Sequence, residues 1–144
     1  MISEKELFDC FMKHLPGVAF IKDGLGRYLF INDKAAVYLG RDGVDCLGKT
    51  DEELWPARVS HRIAANDRIV LQEGKPQQFV EVFEKGGESL FLLVNRFPLD
   101  LSDSGEQGIG GVAIDVSRRV RLEQALLSVR NELAQRVDQC SEGL

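Results

Sequence analysis

The chain has 144 residues, enough for one domain with a substantial core and small for two. Hydrophobic residues make up 44% and charged residues 28%, the balance of a soluble globular protein. The net charge of −5 argues against a nucleic-acid binder, which would present a basic face.

Ser3-Glu4-Lys5-Glu6 is a capping box, and the helix it opens carries Leu7, Phe8, Phe11, Met12 and Leu15 on one stripe before Pro16. Val18 to Lys22 and Arg27 to Ile31 are β-rich runs joined by Asp23-Gly24-Leu25-Gly26, a tight hairpin turn. Asn32 has the chemistry to N-cap a short helix from Asp33 to Leu39, which Gly40 ends. Asp42 to Lys49 is turn-rich. Thr50-Asp51-Glu52-Glu53 is a second capping box, opening a short helix that Pro56 closes.

Ala57 to Glu73 forms a longer helix ended by Gly74, with Val59, Ile63, Asn66 and Val70 on its inward stripe. Gln77 to Glu84 and Ser89 to Phe97 flank the two-glycine turn Lys85-Gly86-Gly87-Glu88. Pro98 ends that strand, Asp100 to Gln107 is a polar loop, and Gly108 to Ile114 is the last strand. From Ser117 a helix repeats Leu122, Leu126, Val129 and Leu133 at spacings of 4, 3 and 4, a coiled-coil seam that weakens at Arg136. An isolated helix of this length is marginal in water, so it pairs with another copy or folds back on its own domain. The order gives an α+β protein with a five-stranded antiparallel sheet and its short helices gathered in the middle.

Counting outward from Gly86-Gly87 pairs Phe83 with Leu90, Val82 with Phe91, Glu81 with Leu92 and Val80 with Leu93. One sheet face then holds Val80, Val82, Phe91, Leu93, Asn95 and Phe97, and the other Phe79, Glu81, Phe83, Leu90, Leu92, Val94 and Arg96. Both are largely apolar, so both are covered: one by the middle helices, the other by the first helix or a second copy. Asn95 is expected on the core face, and Arg96 in a surface ion pair with Glu81.

The pieces "DGLGRYLFIN", "AAVYLG", "LGKTDEELWP", "DRIVLQEGKP", "FLLVNRFPL" and "GGVAIDVSRR", in this order and spacing, resemble the PAS sensor domain over Leu7 to Leu133. Asp115-Val116-Ser117 is similar to the triplet that, in the family, links the last strand to an output helix. The resemblance implies an N-terminal amphipathic helix over residues 1–15, a PAS core over 16–116, and a signalling helix and tail over 117–144. Within it, Ser117 can N-cap the helix, Asp115 places negative charge near its positive end, and Arg119 can pair with Asp115. Leu122, Leu126, Val129 and Leu133 are the dimer residues.

The resemblance also implies a possible ligand site between sheet and helices, since PAS domains often bind haem, flavin or small metabolites. Flavin photosensors of the LOV class carry a reactive cysteine after a Gly-(Arg/Lys)-Asn pattern; here Gly48-Lys49-Thr50 is followed by Asp51, which argues against that chemistry. Haem relatives use a histidine on the long middle helix, and the inward position here is Asn66, with His61 facing away. The candidate ligand contacts are Asn66, Asn95, Arg96 and Trp55. Against a ligand, the two amides can bond each other, backbone or water, and Trp55 can simply roof the core edge.

No catalytic constellation is visible. His14 and His61 lack partners at motif spacing, and the glycines of "GIGGVAID" fall in a strand rather than a phosphate loop. Arg118, Arg119 and Arg121, interleaved with apolar residues, read as a helix surface. Cys10, Cys46 and Cys140 are scattered without a metal or disulfide framework, which suits a reducing, cytoplasmic setting. Nothing near Met1 has the apolar run of a signal peptide or membrane span. The expected function is a non-enzymatic sensory module that dimerises and relays a ligand or interface signal to an output domain, such as a histidine kinase of a two-component system or a diguanylate cyclase. The competing expectation is a ligand-free interaction and dimerisation module.

Overall fold

The computed structural model describes residues 1–103 and 105–142; the tail residues 143 and 144 and loop position 104 lie outside the described residues. Its elements are α1 (Glu4–His14), β1 (Val18–Lys22), β2 (Tyr28–Ile31), α2 (Lys34–Leu39), α3 (Gly43–Cys46), α4 (Asp51–Leu54), α5 (Ala57–Glu73), β3 (Gln77–Lys85), β4 (Glu88–Asp100), β5 (Gln107–Asp115) and α6 (Ser117–Glu142). The five strands form one antiparallel sheet in the order β2-β1-β5-β4-β3. α2 to α5 lie on one face, and the core fills the space between, built from Val18, Phe20, Ile31, Leu54, Ile63 and Val94 among others.

Local sequence sets most of the ends. Ser3 Oγ accepts the Glu6 N–H at 3.1 Å, and Thr50 with Glu53 forms the expected capping box. Gly40 and Gly74 take the left-handed conformation that stops α2 and α5. His14 turns back on its own helix, its Nδ1 lying 2.8 Å from the Cys10 carbonyl.

Asn32 departs from expectation. It is buried, and its side chain caps no helix. Its Oδ1 accepts the Ala19 N–H at 3.0 Å, while its Nδ2 donates to the Gly17 carbonyl at 3.0 Å and the Met12 carbonyl at 3.4 Å. A short amide thus ties the exit of β2 to the entry of β1. The turn-rich stretch after Gly40 condenses into α3, whose N-cap Asp42 accepts the Val44 N–H at 3.1 Å. Pro98 does not end its strand: β4 runs on to Asp100, pairing Pro98 with Ile109. β3 has already stopped opposite Arg96, so β4 has a single neighbour there and a missing N–H is tolerated.

The hairpin register is the one counted from the glycines, but the faces are swapped. Glu81, Leu90, Leu92, Val94 and Arg96 face the helices and are buried. Asn95 lies on the opposite face, half-buried, accepting from Gln78 Nε2 at 3.3 Å. Two apolar faces gave alternation nothing to choose between. α1 lies on this outer face, with Phe8 against Phe30 at 5.2 Å between ring centroids, and leaves Val80, Val112 and Ile114 exposed.

The glycines of β5 are explained by their neighbours. A Cβ on Gly111 would sit 2.2 Å from the Phe20 ring, and one on Gly110 would sit 2.6 Å from Phe97. Each glycine lets an aromatic ring lie flat on the sheet, one per face.

Candidate functional site

The core face carries charges that apolar strands seldom hold. Lys22 follows Val18 and Phe20 at a spacing of two, so it points inward with them and is buried. On its β5 side Arg96 pairs with Gly111, and its guanidinium rests 5.0 Å from the Phe20 ring centroid. Glu81 meets it from β3 with a two-pronged bond: Arg96 Nε donates to Oε2 at 2.8 Å and Nη2 to Oε1 at 2.7 Å.

The helices complete the arrangement. Asp67 of α5 accepts from Arg96 Nη1 at 2.9 Å and from Lys22 Nζ at 2.5 Å. Asp51 of α4 accepts from Lys22 at 2.6 Å, from the Tyr28 hydroxyl at 2.6 Å and from Trp55 Nε1 at 3.0 Å. Asn66 donates to Glu81 Oε2 at 3.0 Å. Two cations and three carboxylates are thus linked across β1, β3, β4, α4 and α5, with one negative charge in excess. Among the described residues, no buried side-chain nitrogen or oxygen lacks a partner.

This network shifts two of its members. Burial removes Tyr28 from water and the adjacent Asp51 charge disfavours its phenolate, so its pKa stands well above 10.0. Burial alone would lower Arg96, but Glu81, through hydrogen bond and charge, outweighs it and moves the pKa up. Tyr28 predicts a pH dependence. Its folded pKa lies above its unfolded one, so its stabilisation is complete below pH 10 and is lost as pH rises through the folded value. In urea titrations between pH 9 and 11, the native protein should lose up to about 1.4 kcal/mol per pH unit more than Tyr28→Phe above pH 10. Parallel curves would show that Tyr28 does not titrate on unfolding.

The structure brings Asn66, Arg96 and Trp55 together and leaves Asn95 out. The Arg96–Glu81 pair exists, but it is buried rather than on the surface. Trp55 roofs the core edge, with its ring edge-on to Phe83 at 5.4 Å and the Arg41 guanidinium 5.4 Å above it. Lys22, Tyr28, Asp51 and Asp67 were missed by sequence reasoning. Lys22 was signalled by its even spacing within "VAFIK", and Asp67 by its position one residue after an inward Asn66.

Two spaces adjoin the network. The chamber between sheet and helices, lined by Phe20, Tyr28, Trp55, Glu81, Phe83 and Arg96, has a volume of about 20 Å³, room for one water. Outside, a groove of about 420 Å³ runs between the β1–β2 turn and α5, with Ala64, Leu71 and Ile109 beside Asp67 and Arg68. His61 is exposed on α5, and no cluster of His, Cys, Asp and Glu among the described residues is arranged to hold a metal.

A family model described as the PAS fold matches residues 12–121. The chain belongs to the PAS fold family. A Sinorhizobium fredii protein carrying the name Uncharacterized protein y4lL is 31% identical over 122 residues, 83% of this chain; the chain spans 15% of that relative's length. Among solved structures, the PAS domain of Bordetella pertussis BvgS superposes with a TM-score of 0.65 at 21% identity, covering 90% of this chain and 98% of that one. A PAS domain from Colwellia psychrerythraea gives 0.67 at 11% identity, covering 81% and 99%. Vibrio cholerae VqmA, in its complex with ligand and DNA, gives 0.69 at 21% identity, covering 81% of this chain and 53% of that one.

In this PAS domain the last strand runs into α6 through Asp115-Val116-Ser117. The capping contacts of the triplet differ from those expected. Asp115 Oδ1 accepts the Ser117 N–H at 2.9 Å, capping the helix start that Ser117 was expected to cap. The buried Ser117 hydroxyl instead accepts the Phe91 N–H of β4 at 2.9 Å, beside the Val116 N–H donating to the Phe91 carbonyl at the same distance. Arg119 pairs with Glu123 at 3.2 Å rather than with Asp115, because that partner lies one helical turn on. Arg121 Nη2 reaches the Ser89 carbonyl at 3.0 Å. The root of α6 is therefore bolted to β4, while Leu122, Leu126, Val129 and Leu133 all stand exposed beyond it. Ser117→Ala should lower stability by about 1–2 kcal/mol, by leaving the Phe91 N–H unpaired. It should also speed hydrogen exchange at Phe91 and Val116; exchange unchanged from the native rate would mean the bolt contributes nothing.

Proposed function

We propose that this PAS domain is the regulatory module of a signalling protein, acting as a homodimer whose input is a change at its interface, passed through β5 into α6. The observation that carries this reading is the filled interior: the ion network and its aromatic roof occupy the place where a ligand would lie, with about 20 Å³ left over. The network, Tyr28 included, ties α4 and α5 to four strands of the same sheet, so helices and sheet move together. The output lies outside the domain, of the histidine kinase or diguanylate cyclase kind, in a cytoplasmic setting. No helix among the described residues is long and apolar enough to cross a membrane. The module itself is read as non-enzymatic and without nucleic-acid contact.

A second reading, a small-molecule sensor, is favoured by the 420 Å³ groove along α5, whose wall includes Lys22 and Asp67 of the network. A native mass spectrum of the gently purified protein separates the two. A dimer at bare polypeptide mass supports the interface relay, and a dimer with reproducible added mass supports the sensor. A monomer at micromolar concentration would overturn the dimeric reading in both forms.

A further inference from the structure

Resting on the small-molecule reading above, we infer that the groove along α5 is a site for a small zwitterion with an apolar side chain, the chemistry of an aliphatic α-amino acid. Its walls combine a carboxylate with acceptor capacity to spare, a cation without a partner, and an apolar lining.

The groove lies outside the packed chamber. On one side is the β1–β2 turn, where Gly24 and Gly26 present backbone instead of side chains. A Cβ on Gly24 would sit 2.8 Å from the Gln107 carbonyl oxygen, so the turn is seated directly on the start of β5. On the other side α5 contributes Ala64, Asp67, Arg68, Leu71 and Gln72, whose spacing makes a single stripe of the helix. The volume of about 420 Å³ falls at the lower end of the range for small-molecule sites.

Charge decides the ligand class. Asp23 is already used, accepting the Leu25 and Arg27 N–H groups at 2.9 Å and Arg27 Nε at 2.8 Å. Asp67 accepts one bond at each oxygen, from Arg96 and from Lys22, and its side chain keeps 16% of its surface open. A carboxylate has about four acceptor sites, so about two remain. Arg68 is exposed and makes no ion pair among the described residues. An anion alone would face Asp67, backed by a network with one negative charge in excess. A cation alone would face Arg68. A molecule carrying both charges satisfies both: its carboxylate accepts a two-pronged bond from Arg68, and its ammonium donates to Asp67. Its side chain lies on Ala64, Leu71 and Ile109.

The position also joins the site to the output strand. Ile109 belongs to β5, which enters α6, and it pairs with Lys22, whose ammonium holds Asp67. A ligand amine therefore shares the Asp67 carboxylate with Lys22 of β1 and Arg96 of β4, while its side chain rests on β5.

The experiment is calorimetric titration of the full chain with L-leucine and with two analogues that each lack one charge: isocaproate, without the amine, and isoamylamine, without the carboxylate. Leucine should bind with a Kd below about 1 mM, and each analogue at least about tenfold more weakly. Arg68→Gln removes an exposed side chain with no ion pair in the chain, so the fold should persist. It should weaken leucine at least about tenfold and leave isoamylamine unchanged. Either analogue binding as tightly as leucine overturns the zwitterion assignment and leaves a small-molecule site standing. Leucine binding that is unchanged in Arg68→Gln lies elsewhere and overturns the inference. No binding of leucine up to about 10 mM overturns it too. The sensor reading is then decided by the native mass spectrum, where added mass sustains it and bare mass removes it.

Discussion

Arg96→Met should destabilise this domain by about 3–5 kcal/mol, measured by urea denaturation at neutral pH. The substitution keeps the volume of the aliphatic stem and removes the charge that Glu81 and Asp67 were buried against. Arg96 and Glu81 are each only 2% exposed, so water cannot repair the loss. Lys22 would remain as the single cation among three carboxylates. The double variant Arg96→Met, Glu81→Met should recover most of that loss, because it removes the charges from both sides and leaves Asp67 paired with Lys22. If the double variant were as unstable as the sum of the singles, the pair would not be coupled and the network description would be wrong. The outcome bears on function as well. Strong coupling between the two residues would mean that neither charge can leave the interior alone, which keeps the chamber closed.

Leu126→Glu should leave the monomer folded and raise the dimer dissociation constant by at least about a hundredfold, near 3 kcal/mol. Leu126 is 70% exposed within its own chain, so nothing in the intrachain core depends on it. Across a symmetric seam two such carboxylates would face each other in an apolar layer, which costs far more than the lost methyl groups. Sedimentation across a concentration series gives the dissociation constant, and thermal unfolding of the dilute protein verifies the fold. An unchanged dissociation constant would place the interface elsewhere on the surface. The outer sheet face with α1 would then be the place to look.

These two predictions draw on different kinds of information. Leu126 belongs to a pattern visible in the chain itself, since a 4-3-4 repeat on a helix fixes one stripe whatever else the fold does. The same holds for the capping serine and threonine, for Gly40 and Gly74 at the helix ends, and for the glycine turn that set the β3–β4 register: each acts within a few residues. The family resemblance rested on such local pieces in order, and the match over residues 12–121 agrees with it.

What the chain alone left open was which of two apolar sheet faces would meet the helices. That choice moved Asn95 out of the site and buried Arg96, because in a strand every residue follows its neighbour's alternation. Asn32 likewise has cap chemistry, yet three backbone groups distant in sequence claimed its amide. The ion network is the clearest case. Lys22, Asp51, Asp67, Glu81 and Arg96 span 75 positions and form no motif, since five strands and helices from separate parts of the chain supply one charge each. Short-range rules determined the elements and their ends. Only the packing of sheet against helices decided which charges share a buried site, because their burial is tolerable only when all of them arrive together.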